Sequence, residues 1–178
     1  MGTTGRLLIS MLSATGFNLN DCFLTNVCHE RPPGNEIDNW FPTSKTKAKA
    51  AGLQYILGRY VEEPIFRGVS ELHQMLQQHS PRFIVTFGST PLWALTGNVG
   101  IRKWRSSVLL ASASPAATTK LVPCHHPAEV QRQWELHHIT VKDLRRAKSE
   151  SLFPEIRRPC GTSSSGQHWC RFNIISIR

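Results

Sequence analysis

The apolar positions change period several times along the chain, and each change marks a different element. Leu7, Leu8, Met11 and Leu12 recur at helical spacing within residues 5–15 and end at Gly16, which predicts a helix with one apolar face and a glycine stop. Residues 22–27, Cys-Phe-Leu-Thr-Asn-Val, form a short run rich in β-branched and aromatic side chains, followed by the turn-forming Arg31-Pro32-Pro33-Gly34-Asn35. They predict a buried strand feeding a loop. Val69, Leu72, Met75 and Leu76 predict an amphipathic helix that stops before Pro81, and residues 83–88 a second buried strand. Ser89 or Thr90 is placed to cap a further helix, with Pro91 in its first turn. Val108-Leu109-Leu110 and residues 120–123 predict two more strands, paired as a hairpin or at an edge, and residues 139–149 a basic amphipathic helix carrying Asp143, Arg145, Arg146 and Lys148. Between residues 36 and 67 the pattern is weak, and the element suggested there is a helix through Leu53, Ile56 and Leu57. The tail is Ser/Gly-rich at 161–166 and strand-like at 171–177.

Strands alternating with helices predict an α/β fold with a largely parallel sheet. Ligands of such folds bind at the carboxyl ends of the strands, where Asn26 and His126 both fall. At 178 residues the chain suits one domain, read as residues 1–158 with an atypical tail at 159–178.

Charge narrows the partner. Lys and Arg outnumber Asp and Glu by 21 to 12, a net +9. An excess of that size favours a polyanion, because phosphate contacts release counterions. The duller reading, charge that merely keeps the protein soluble, stands beside it, and the lysines at 45, 47 and 49 and the helix with Arg145 and Arg146 are on their own solvated faces. No apolar run approaches the roughly 18 residues of a membrane span, and the first residues lack a secretory pattern. A cytoplasmic location without disulfides and without membrane attachment is therefore expected. The five cysteines, at 22, 28, 124, 160 and 170, include no Cys-x-x-Cys pair, so neither a metal nor another cofactor is expected.

Thr25-Asn26-Val27, then Arg31-Pro32-Pro33-Gly34-Asn35, then Phe83 to Gly88, then His125-His126-Pro127-Ala128 resemble, in order and spacing, the family 4 and phage types of the uracil-DNA glycosylase superfamily. The likeness extends to residues 2–16 and 101–105 and covers about residues 2–158. It implies a three-layer α/β/α fold with a mostly parallel central sheet, and a monomeric, monofunctional DNA glycosylase that flips a pyrimidine out of the duplex and hydrolyses its N-glycosidic bond, leaving an abasic site.

The chemistry explains why such residues belong at these places. Cleavage leaves negative charge on the departing pyrimidine, mainly at O2, and a donor fixed beside that oxygen stabilises the transition state. The resemblance assigns that catalytic role to His126, with Pro127 stiffening the turn that aims it. Asn26 presents both a donor and an acceptor and reads the Watson–Crick edge of the flipped base, uracil in one amide orientation and cytosine in the other. Phe23 or Trp40 is the candidate to stack on the base. Residues 128–134 are expected as a loop pressed into the minor groove, and Arg31, Lys103, Arg105, Ala128, Gln131 and Arg132 as DNA contacts. Ala128 departs from the serine usual there, which removes one phosphate contact.

The departures matter as much as the matches. Met1 falls after the place of the family's first motif, a Gly-Glu-Ala-Pro-Gly-like stretch with its own central strand, so either the chain is shortened or another strand fills that place, for which residues 171–177 are the candidate. Glu30 stands where an iron–sulfur cysteine is expected, and Cys28 lies two residues too early. Without the first motif's aromatic gate the pocket would admit a larger base, which puts a bulky modified cytosine, as in phage DNA, and a role in antiphage defence beside plain uracil repair. Two other classes remain open: a decayed glycosylase that only binds DNA, and an enzyme of free nucleotides on the same scaffold.

Overall fold

The computed structural model describes residues 2–153 and 155–156, together with the backbone of 172–175. Its centre is β4 (Phe83–Phe87), all five of whose residues are buried, as expected of an apolar run covered on both faces. Alternate side chains of this strand enter two separate cores. Phe83, Val85 and Phe87 pack with Leu8, Met11 and Leu12 of α1 (Thr3–Ala14), Val130 of α6 (Pro127–Arg132), and Leu144 and Ala147 of α7 (Leu136–Ser151). Ile84 joins Ile65, Val69, Leu72 and Leu76 of α3 (Glu63–His79) and Trp93, Ala94 and Leu95 of α4 (Ser89–Thr96). Helices on both faces of one sheet make the three-layer α/β/α architecture.

Among the described residues the main sheet has five strands, in the order β1 (Cys22–Thr25), β7 (Phe172–Ile175), β4, β6 (Lys120–Cys124), β5 (Leu109–Leu110). β1, β7, β4 and β6 run parallel, and β5 pairs antiparallel at the edge. The strand in the tail thus lies inside the sheet, as expected for residues 171–177: Cys22–Thr25 pair with Phe172–Ile175, which pair in turn with Phe83–Thr86. The Ser/Gly-rich run at 161–166 and the cysteines at 160 and 170 lie outside the described residues.

Lys120, at the start of β6, is 2% exposed. Its Nζ donates to the Glu150 carbonyl (2.8 Å), the Glu150 carboxylate (3.2 Å) and the Glu155 carbonyl (2.8 Å), so all three ammonium donors are satisfied and the end of α7 is fastened to the sheet. Basic side chains of the helix face outward at Arg145 and Arg146, whereas Asp143, Leu144 and Ala147 are buried.

The weak stretch is corrected by the structure. Instead of a helix through Leu53, Ile56 and Leu57, β2 (Gln54–Ile56) and β3 (Arg59–Val61) form an antiparallel hairpin, preceded by the short lysine-rich α2 (Lys45–Ala50). The two-residue loop Leu57-Gly58 has φ of 47° and 80°, the left-handed conformation at both positions that suits a tight hairpin, with Gly58 carrying the second at no steric cost. Residues 128–134 are likewise not a loop, since α6 runs through Arg132. Among the described residues no helix is long and apolar enough to cross a membrane.

Candidate active site

Asn26 follows the last residue of β1, and His126 lies two residues past the end of β6, at the same carboxyl edge of the sheet. The register Thr25, Ile175, Thr86, Pro123 runs straight across four strands; Asn26 lies one residue beyond this row and His126 three beyond it, two rows apart at the same edge. Three strand spacings separate their strands, about 14 Å between axes. Among the described residues the half-buried Asn26 amide has no hydrogen-bond partner, so its donor and acceptor are both uncommitted.

His126 is the N-cap of α6, and its Nδ1 accepts a hydrogen bond from the Ala128 backbone N–H at 3.1 Å. A backbone amide can only donate, so Nδ1 carries no proton and the neutral ring holds its proton on Nε2. The cap therefore fixes both the ring's orientation and its tautomer. Gly88, just past β4, lies against the same ring: its φ is +90°, and a Cβ there would stand 3.3 Å from His126 Cβ and 3.7 Å from Cδ2. Only glycine meets both demands comfortably. Next door His125, buried, shares its Nδ1 with the Glu129 carboxylate at 3.0 Å. It is the structural histidine of the pair and holds the first turn of α6 to the end of β6.

Other expected site residues fall in three places. Arg31, Lys103, Gln131 and Arg132 are exposed, and Ala128 is half-buried at the start of α6. Gln131 accepts a bond from Thr4 Oγ1 (2.9 Å), tying α6 to α1, while Lys103 lies over the Trp104 ring at 5.1 Å. Arg105 is committed elsewhere: Nε and Nη2 grip both carboxylate oxygens of Asp143 at 2.9 and 2.6 Å. Its guanidinium is a brace between the segment after α5 (Ile101–Trp104) and α7, not a side chain free to reach phosphate. Burial pushes the Asp143 carboxyl up from its ordinary pKa, against the opposing pull of Arg105, Ser106 and His125.

The two stacking candidates do not share Asn26's position. Phe23 is at the amino half of β1, where its ring lies 4.7 Å from His79 at the end of α3. Trp40, 8% exposed, is part of the core that also holds Val27 and Cys28, beneath the Asn26 turn. An aromatic that the sequence argument did not single out is more prominent: Trp134, just past α6, is 62% exposed and stacks on His137 at 4.5 Å.

Among the described residues the donors do not fit an iron–sulfur cluster. Glu30 is ion-paired with Arg67, the Cys28 thiol lies within donating distance of the Pro64 carbonyl, and among the described residues no group of three or more His, Cys, Asp or Glu is placed to hold a metal ion.

The family model of the uracil DNA glycosylase superfamily matches residues 1–150, most of the chain. The chain belongs to the uracil-DNA glycosylase superfamily. No curated protein matches it. Membership carries the general activity, a DNA glycosylase acting on uracil-like bases in DNA, and agrees with the α/β architecture built above.

Proposed function

We infer that the protein flips a pyrimidine from DNA into the gap between Asn26 and His126 and excises it. The observation that carries this reading is the Ala128-to-His126 cap, which puts the ring proton on Nε2, the nitrogen we assign as donor to the pyrimidine O2. As the N1–C1′ bond breaks, its electron pair passes into the pyrimidine ring and gathers at O2, where the donor stabilises it. Water adds its hydroxide to C1′ and, in sum, its proton to the departing base, giving an abasic site and a free pyrimidine. Asn26 pairs with the base edge, its amide orientation setting the preference between uracil and a cytosine-like base. Arg31, Lys103 and Arg132, all exposed, supply phosphate contacts within a chain of net charge +9. Trp134, exposed just past α6, is the side chain we assign to enter the stack as the base leaves.

The test is a panel of duplexes containing uracil, hydroxymethylcytosine or glucosylated hydroxymethylcytosine, incubated with the protein and then cleaved with alkali at abasic sites. Breaks on one member, lost in His126→Ala, establish a monofunctional glycosylase and name its base, and the two modified cytosines decide between repair and an action on modified phage DNA. Binding without breaks on any member would make the chain a DNA-binding module instead.

A further inference from the structure

The turn that carries Asn26 is built against one stripe of α3. Pro64, Arg67, Gly68 and Glu71 recur at the spacing of one helix face, and each meets a residue just after Asn26. The Cys28 thiol lies 3.6 Å from the Pro64 carbonyl oxygen, Arg67 pairs with Glu30, and Glu71 lies 3.9 Å from His29 Nε2 and 3.9 Å from Arg67 Nε. Gly68 is the closest approach of all. A Cβ there would fall far inside van der Waals contact with the Val27 carbonyl oxygen and stand 3.0 Å from its carbon and 3.2 Å from Cys28 Cα.

Those neighbours are backbone, and they cannot swing aside as a flexible side chain does. Val27 and Cys28 are buried at 0% and 4% exposure, so the turn has little room to retreat. A glycine in the middle of a 17-residue helix also weakens that helix relative to alanine, and nothing in the helix itself requires it. Its φ is not in the left-handed region, so the demand is for space alone.

We propose that Gly68 is a positioning residue for Asn26: it lets α3 seat the Val27 carbonyl one atom's width closer, and this seating sets how far the Asn26 amide projects toward the base. The inference rests on the reading of Asn26 given above. Gly68→Ala displaces the turn by about 1 Å, a misplacement that costs on the order of 100-fold in rate at a preorganised site. Because the effect passes through one side chain, it vanishes once that side chain is gone.

Two measurements on the full chain test this. The first follows the Asn26 side-chain amide in the 15N-correlated spectrum, identified by its loss in Asn26→Ala; Gly68→Ala is expected to shift it, while Val69→Ala, a neighbouring core change, leaves it in place. An unmoved Asn26 resonance in Gly68→Ala overturns the proposal whether or not the protein releases any base. The second is a double-mutant cycle on single-turnover uracil release. Gly68→Ala is expected to slow the wild type about 100-fold and to leave Asn26→Ala unchanged. An equal loss in both backgrounds overturns the proposal and leaves the glycosylase reading intact, whereas a wild type inert on every duplex overturns that reading and passes the decision on Gly68 to the spectrum. If Gly68→Ala does not fold, Arg67→Leu, which loosens the same turn from an exposed position, is carried through both measurements and judged by the same criteria.

Discussion

Replacing Arg105 by methionine separates two roles that one side chain can have. In the structure its guanidinium is 29% exposed and holds the Asp143 carboxylate, 1% exposed, through both oxygens. Removing one partner of such a pair leaves a buried charge without compensation, which costs about 3 kcal/mol, the low end of the usual range because the arginine is only partly buried. For a chain of this size that corresponds to a fall in Tm of about 6–12 °C. The loss carries a pH signature. Asp143 already has a raised pKa through burial, and losing Arg105 raises it further. A carboxyl whose folded pKa lies above its unfolded value binds more protons in the folded state. Its stabilising contribution is therefore complete below the unfolded pKa and is lost as pH rises through the folded one. The gap in Tm between wild type and Arg105→Met should accordingly narrow as pH falls from 7 toward 4, and the double variant Arg105→Met/Asp143→Leu should recover most of the stability at pH 7. Thermal unfolding followed by circular dichroism between pH 4 and 8 reads both effects. If Arg105→Met unfolds with the wild type at every pH but lowers duplex affinity and its salt slope, the arginine is a phosphate contact and the brace is unimportant.

Three further outcomes follow from the same geometry. Gly88→Ala forces a non-glycine residue to a φ of +90° beside His126, so it should cost about 1–2 kcal/mol in stability and slow base release more than it weakens DNA binding. Trp134→Ala, at a 62% exposed position, should change stability by less than about 0.5 kcal/mol yet slow excision from duplex more than from single-stranded DNA, as a comparison of the two substrates would show. Ending the chain after Ile156 removes β7, through which β1 is joined to β4; both sharp thermal unfolding and base release should be lost, and a truncated protein that keeps both would contradict the sheet order.

How far the sequence could be read depended on whether the deciding contact was local. Strands β1, β4 and β6 and helices α1, α3 and α7 were legible because an apolar run and a stripe at 3.6 spacing are properties of adjacent residues. The placement of Asn26 and His126 at the carboxyl edge was legible for the same reason, since each lies just past a strand. The hairpin at 54–61 was hidden by leucine in its first turn position, a residue that seldom adopts positive φ, although Gly58 after it was the available signal. Helix α6 was hidden by Pro127, which reads as a loop residue but also suits the first turn of a helix. Arg105 was beyond reach because its partner lies 38 residues away in the chain. Phe23 was misleading in a different way: the two-residue period of a strand puts it on the face of Thr25, toward α3, and not beside Asn26. The roles of Gly68 and Gly88 depend on what a missing Cβ would have touched, which no pattern of residue types displays.

The most direct test of the account is single-turnover base release by His126→Ala under saturating enzyme, on the duplex that the wild type cleaves best. If His126 donates Nε2–H to the departing pyrimidine, the rate should fall about 100- to 1,000-fold, as when one oxyanion donor is removed, while duplex affinity stays within about twofold of wild type and the fold is unchanged. A variant that releases base at the wild-type rate, or one that loses its rate only because it no longer binds DNA, would contradict the assignment.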